Sequence, residues 1–354
     1  MIDIVRVHGS HEEVGRQIGT ACREAIRQAA TISSDQLPQG RTWAEQLALA
    51  AKYRRATEEA LPWLLVELDA TADAAGVDRE VLFAVSVEEI WPGRDTTAIA
   101  TPAVRGCTDV VATGPATPDG RTLVGHNNDL PASTRDSVAA IEWCVDGEPV
   151  VFSLGIGPWL STAWNETGLN ITGDELAPND ERIGVPRLLL MSAVSRARTL
   201  AEAVQLARHP ARASSYNWLL ADADGRVVWL EGSATATAEL HVDDHGLLHH
   251  ENHYVDPSML RFERSRRNAR RSAARGARVA ARLDALAPAS VTVEQIRSIL
   301  ADHDGPEPIC RHARSPQEME TVFWAIADLS AGEVEFGIGA PCESEVRRYR
   351  FSEN

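Results

Sequence analysis

The chain has 354 residues, 44% of them hydrophobic, long enough to bury a substantial core as one large domain or two. Its formal net charge of −16 opposes nonspecific binding to nucleic acid or anionic membranes, and no apolar run approaches the roughly 18 residues a membrane span needs. The N-terminus has no basic-then-apolar signal pattern, and the five cysteines, Cys22, Cys107, Cys144, Cys310 and Cys342, show no CxxC spacing, which argues against a disulfide framework or structural zinc site and fits a reduced cytoplasm.

The first hundred residues read as helical. "SHEEVGRQIGTACREAIRQAA" opens with a Ser10–Glu13 capping box and sets Val14, Ile18, Cys22 and Ile26 at helical spacing. Residues 43–76 continue that pattern, with Pro62 dividing the helix and Gly76 ending it. A further helix starts at Asp78 and runs to Trp91. "PGRDTTAIATPAVRG", residues 92–106, has no period and reads as an exposed connector.

From Cys107 the pattern turns to strands. "CTDVVAT", "TLVGHN", "SVAAIEWCV", "PVVFSLG", "LSTAWN" and "GLNITG" are short, rich in branched residues and separated by turn signals. Helices over 184–208 precede a second strand group, "SYNWLLAD", "RVVWLEGS", "TAELHV" and "LLHHENHY", in which "ADADGR" turns a hairpin. The basic stretch "RFERSRRNARRSAARGARVAARL", 261–283, reads as a solvated helix whose arginines pair with the chain's own carboxylates rather than with nucleic acid. A helix near 291–303 and the strands "METVFWAIAD", "EVEFGIG" and "VRRYRF" close the chain. This order predicts layered α+β, two packed sheets covered by helices.

Lys52 is the only lysine, so attention falls on the cysteines. A thiol works as a nucleophile when a base and an oxyanion site stand next to it, and no histidine lies beside Cys107 in sequence. Cleavage of the bond before Cys107 would supply the base directly: the new α-amino group, with an ordinary pKa of about 8, can take the thiol proton. Gly106 leaves the preceding carbonyl unobstructed and tolerates strained geometry. By itself Gly-Cys-Thr is a weak signal, and on that evidence alone a buried structural cysteine is the better reading.

Six segments together carry more. "VHGSHEEVGRQIGTACREAI", "GCT", "LVGHNND", "NETGLNIT" with "GVP", "HENHY" and "PICRH…ETVFWAIADL…FGIGAPC" resemble, in order and over nearly the whole length, the acyl-coenzyme A:6-aminopenicillanic acid acyltransferase family. That family is a branch of the N-terminal-nucleophile (Ntn) hydrolases that process themselves at a Gly-Cys bond. The resemblance implies a four-layer αββα sandwich with a helical N-terminal region. It implies a small subunit of residues 1–106 and a catalytic large subunit of residues 107–354 that stay together as a heterodimer. Cys107 matches the nucleophile, Asp129 the aspartate that orients or polarises it, and Asn252 the position whose amide faces the oxyanion. Asn127 and Asn128 match less securely. Where the family carries a site arginine this chain has Glu318, which leaves Arg311 or Arg314 to take its place. The implied activity is amide hydrolysis or acyl transfer on a small molecule through an acyl-thioester, without metal or bound cofactor, a CoA thioester being a candidate substrate.

Two other readings compete. His241, His245, His249, His250 and His253 could hold zinc for a hydrolase, and His245/His249 stand at i,i+4. On strands, however, such side chains lie roughly 13 Å apart, and the Glu of HExxH is missing. The other reading is a noncatalytic Ntn-like binding protein, against which intact Gly106, Cys107, Asp129 and Asn252 argue.

Overall fold

The computed structural model describes residues 3–31, 37–91 and 106–351. The N-terminal portion comprises β1 (Val5–Gly9) and five helices, α1 (His11–Ala21), α2 (Arg23–Ala30), α3 (Trp43–Ala60), α4 (Pro62–Ala75) and α5 (Arg79–Val85). The signals at their ends act as expected. Ser10 and Glu13 form the capping box, Pro62 starts α4, Gly76 closes it in the left-handed conformation at φ 72°, and the Asp78 side chain caps α5. Val14, Ile18, Cys22 and Ile26 are all buried. The expected helix over 78–91 stops earlier, at Val85, where the Ser86 hydroxyl donates to the Leu82 carbonyl. A 3₁₀ turn over Glu88–Ile90 then turns two glutamates inward.

One expectation needs correction. The N-terminal segment is not purely helical, because β1 pairs in parallel with β4 (Val138–Val145), Val5 opposite Ile141. With five residues it shows too little alternation to declare itself, and its partner lies far along the chain. The expected connector over 92–106 lies, Gly106 apart, outside the described residues.

The strands form two sheets. The eight-stranded sheet runs β1-β4-β5-β6-β7-β8-β9-β10, with β5 (Val151–Ile156), β6 (Trp159–Asn165), β7 (Asn170–Asp174), β8 (Asn217–Ala221), β9 (Val227–Gly232) and β10 (Thr237–Leu240). The six-stranded sheet runs β11-β2-β3-β12-β13-β14, with β2 (Gly106–Gly114), β3 (Gly120–Pro131), β11 (Leu247–His250), β12 (Met319–Asp328), β13 (Glu333–Ile338) and β14 (Arg347–Arg350). Period-2 alternation decides which face each residue serves. Val111, Val124, Phe323 and Ala325 of one sheet meet Ala140, Phe152, Leu154 and Leu219 of the other in a central core. Their neighbours Val110, Ala112, Trp324 and Ile326 pack outward against α8 (Arg266–Asp284) and α9 (Val293–Leu300). Ile141, Trp143, Trp218 and Leu220 pack against α1–α5 together with α6 (Arg187–Ser195) and α7 (Leu200–Ala207). The result is the expected αββα sandwich. Among the described residues no helix is long and apolar enough to cross a membrane.

Candidate active site

The β2–β3 hairpin sets Gly106 opposite Asp129 and Cys107 opposite Asn128. β12 lies along the other edge of β3 with Thr321 opposite Asp129, and its register shifts between Thr321 and Phe323. Three adjacent strands thereby bring Gly106, Cys107, Asn128, Asp129 and Thr321 to one end of the sheet.

Asp129 is completely buried. Its Oδ1 accepts from the Thr321 hydroxyl at 2.7 Å, and its Oδ2 lies 2.9 Å from Arg311 Nε. Burial raises the Asp129 carboxyl above its ordinary range, while the guanidiniums of Arg311 and Arg275 and the Thr321 bond favour the charged form. Arg311 is held by its backbone, which donates to Thr321 Oγ1 at 2.9 Å and accepts from Thr321 N–H at 3.1 Å. Of the two arginines left open by the sequence, Arg311 therefore reaches Asp129. Arg314 is exposed, and its N–H donates to the Glu318 carboxylate.

Cys107 is 5% exposed, and its backbone N–H donates to Asn252 Oδ1 at 2.7 Å. Arg275 Nη2 donates to the same oxygen at 2.6 Å and to the Cys107 carbonyl at 2.9 Å. Both partners can only donate, so the amide atom between them is the oxygen. Asn252 Nδ2 points away and donates to the Glu175 carbonyl at 3.1 Å. The expected oxyanion amide of Asn252 thus presents its oxygen to the Cys107 nitrogen. The side-chain amide nearest the sulfur is that of Asn128, its Nδ2 at 3.9 Å from Sγ and 3.3 Å from His126 Nε2. Asn127 turns away, donating to the Leu300 and Ile309 carbonyls, and anchors the site from behind.

Burial pushes the Cys107 thiol well above its ordinary pKa, and the charges of Asp174, Asp129 and Asp109 push the same way. The sulfur needs a base close at hand.

Arg275 was missed in the sequence, and the reading of its helix is corrected in part. Arg271, Arg278 and Arg282 do pair with Glu307 and Asp302. Arg275 is 2% exposed and faces the site. The available signal was phase: Ser272, Gly276, Val279 and Leu283 form the buried stripe of α8, and Arg275 falls on it.

The thiol opens on a pocket walled by Leu130, Ile156, Trp159, Leu160, Leu188 and Met191, with Glu88, Asn128, Ser161, Glu175 and Tyr216 as polar lining. Buried Arg187 ties that lining together, donating to Glu88 at 2.7 Å and Glu175 at 2.6 Å while lying 4.7 Å over the Tyr216 ring. Glu88 precedes the Gly106–Cys107 bond and the rest follow it, so both sides of that bond build one wall.

The histidines of the 241–253 segment are spread among separate partners. His245 lies in a turn, while His249 and His250 alternate on β11. His249 meets Glu251, His253 meets Ser272, and His250 sits between Glu231 and Asp174. Burial opposes charge on His250, but those two carboxylates raise it to about 10, a buried cation already neutralised. Among the described residues no metal-ligand group forms over 241–253.

The family model of acyl-coenzyme A:6-aminopenicillanic acid acyl-transferase matches residues 116–343, well over half of the chain. The chain belongs to this family. The match takes in Asp129, Asn252, Arg275 and Arg311 and begins after Cys107. It places the protein among Ntn hydrolases and acyltransferases. A search of curated proteins finds no match. Solved structures similar to the chain include a mutant conjugated bile acid hydrolase from Clostridium perfringens, at 13% identity and TM-score 0.45, covering 70% of this chain and 97% of that one. An N-acylethanolamine-hydrolyzing acid amidase ortholog from Caenorhabditis elegans aligns at 15% identity and TM-score 0.45, over 63% and 93%. Penicillin V acylase from Agrobacterium tumefaciens aligns at 14% identity and TM-score 0.46, over 68% and 84%.

Proposed function

We propose that the chain is made as a precursor, cuts itself between Gly106 and Cys107, and then acts through Cys107 on an amide or thioester of a small molecule. In the first step the Cys107 sulfur attacks the Gly106 carbonyl carbon, the Gly106–Cys107 peptide bond breaks, and the nitrogen takes a proton as the acyl group moves to sulfur. Water then hydrolyses the thioester, leaving the Gly106 carboxylate and the Cys107 amine. The observation that carries this reading is the hydrogen bond from Cys107 N to Asn252 Oδ1 at 2.7 Å, which aims the nascent amine while the thiol lines an apolar pocket.

In the mature enzyme the amine takes the thiol proton and the sulfur adds to the substrate carbonyl. The tetrahedral oxyanion draws on the Asn128 amide, the side-chain donor nearest the sulfur. Collapse passes the proton to the departing amine or thiol and leaves an acyl-thioester on Cys107. Water completes a hydrolysis, and an amine completes a transfer. Asn252 holds the amine of Cys107, Arg275 holds the Cys107 carbonyl and the Asn252 oxygen, and the pairing with Arg311 fixes the Asp129 carboxylate beside Gly106. The pocket's wall of leucines, isoleucine, tryptophan and methionine suits an apolar acyl group.

Residues 1–106 stay bound to 107–354 after the cut, held by the parallel β1–β4 pairing, by the helical layer on the eight-stranded sheet and by the Glu88–Arg187 pair. No step calls for a metal or bound cofactor, and a CoA thioester is a candidate acyl donor. The reading is tested by incubating the protein with N-acyl amides and acyl thioesters of graded chain length and measuring the mass of the 107–354 piece. An acyl increment on Cys107 that disappears with release of free acid, or of a new amide when amine is added, is expected. Turnover that persists in Cys107→Ala would contradict it.

A further inference from the structure

Cys310, His312 and Cys342 have no part in the chemistry above, yet the fold brings them together with His303. One ligand atom from each of the four lies within 4.8 Å of all the others. The sulfurs of Cys310 and Cys342 are 3.6 Å apart, and His312 Nε2 lies 3.7 Å from the first and 3.3 Å from the second. A tetrahedral zinc ion with Zn–S of about 2.3 Å and Zn–N of about 2.0–2.1 Å has S–S edges of about 3.8 Å and S–N edges of about 3.6 Å. Three of the edges therefore already match. We propose that His303, Cys310, His312 and Cys342 bind a structural zinc ion.

The set is assembled from three segments, which is why no local spacing announced it and why the absence of CxxC in the sequence pointed the other way. Ile309 and Cys310 N–H both donate to the Asp302 carbonyl, at 3.0 and 2.8 Å, pinching the 303–308 loop so that His303 returns to Cys310. Cys342 follows β13 on a turn fixed by the Trp324 ring N–H, which donates to Ser344 Oγ at 2.7 Å. His303 is supported from behind as metal-bound imidazoles are. His303 Nδ1 lies 3.1 Å from the Ala301 carbonyl, which keeps the proton there and leaves Nε2 its lone pair. The Glu343 carboxylate lies 3.9 Å from His312 Nδ1.

Zinc binding would displace one proton from each thiol, leaving two thiolates and two neutral imidazoles around Zn²⁺, a centre without net charge. All four protein positions are filled, so the ion would be structural. Its consequence lies between two of its ligands. Arg311 stands between Cys310 and His312, and its guanidinium meets Asp129. A metal gripping both neighbours would fix the loop that carries Arg311 to the Asp129 carboxylate. The site itself stands whatever chemistry Cys107 performs.

The test is metal content of the full chain purified without chelator, followed by zinc titration in competition with a chromophoric chelator. One zinc per chain is expected, with thiolate charge-transfer and tetrahedral d–d absorption when cobalt replaces it. Cys342→Ser and His303→Asn alter exposed residues and each should weaken binding by more than the about 10–100-fold that loss of an outer-shell partner costs. Chelation should lower the melting temperature of the wild type and leave the variants unmoved. Overturning results are wild-type protein that takes up no zinc with both thiols free, a Cys310–Cys342 disulfide in protein purified under reducing conditions, or variants that bind zinc as tightly as wild type.

Discussion

Arg311 Nε lies 2.9 Å from Asp129 Oδ2, a pairing between a loop and the central β3 strand that closes directly over Gly106. Asp129 has no exposure, so removing its partner strands a buried charge. Arg311→Ala, made in a Cys107→Ala background to keep the chain intact, should lose about 3–5 kcal/mol of stability in urea titration. Asp129→Asn keeps the shape and removes the charge. With Cys107 in place it should slow processing, measured as a gel time course, more than it changes the denaturation midpoint.

Gly106→Ala tests how tightly the scissile bond is packed. A Cβ there would come 2.7 Å from Asp129 Oδ2, 3.2 Å from Arg311 Nε and 3.3 Å from Arg275 Nη1. The first contact is shorter than real Cβ atoms tolerate, and the atoms met belong to an ion-paired cluster rather than to a free side-chain end. The precursor should lose about 1–3 kcal/mol, the usual cost of overpacking, and its self-cleavage should be slower than wild type. Cleavage at the wild-type rate with unchanged stability would contradict this packing.

Stability should also depend on pH through His11. Its ring lies 3.1 Å from Glu67 and 3.3 Å from Glu148 and stacks on Trp63. Hydrogen bonds to Glu148 and Glu67 raise its pKa from 6.5 to about 9, against the pull of burial. A raised folded pKa means that the native state holds the proton more tightly. The added stability is therefore fully present below pH 6.5 and is lost as the pH rises through about 9. The gap in urea midpoint between wild type and His11→Gln should be widest at pH 6 and shrink by pH 10. A constant gap would show that the contribution of His11 is packing alone.

Much of this was legible in the sequence because it is local. Pro62, Gly76 and Asp78 end or start helices through their own backbone chemistry, and alternation along β2, β3 and β12 assigns each residue to a face. Gly106, Cys107, Asp129 and Asn252 converge although 145 positions separate Cys107 from Asn252. Gly106 and Cys107 follow from the chemistry of a self-cleaving bond, but Asp129 and Asn252 were found through resemblance, since nothing in their spacing brings them together. What escaped depended on tertiary placement. β1 declares itself only when β4 is there to pair with. Arg275 is one arginine in a helix full of them, distinguished by its phase. The choice between Arg311 and Arg314 turned on the backbone bonds between Arg311 and Thr321. The orientation of the Asn252 amide follows from two donors in separate segments.

The central claim is that Cys107 works as a chain end, and intact mass spectrometry of freshly purified protein beside Cys107→Ala tests it most directly. Two wild-type species beginning at Met1 and Cys107, which co-purify until denatured, with the variant uncut, are expected. A single intact wild-type species that nevertheless turns over an acyl substrate would contradict it.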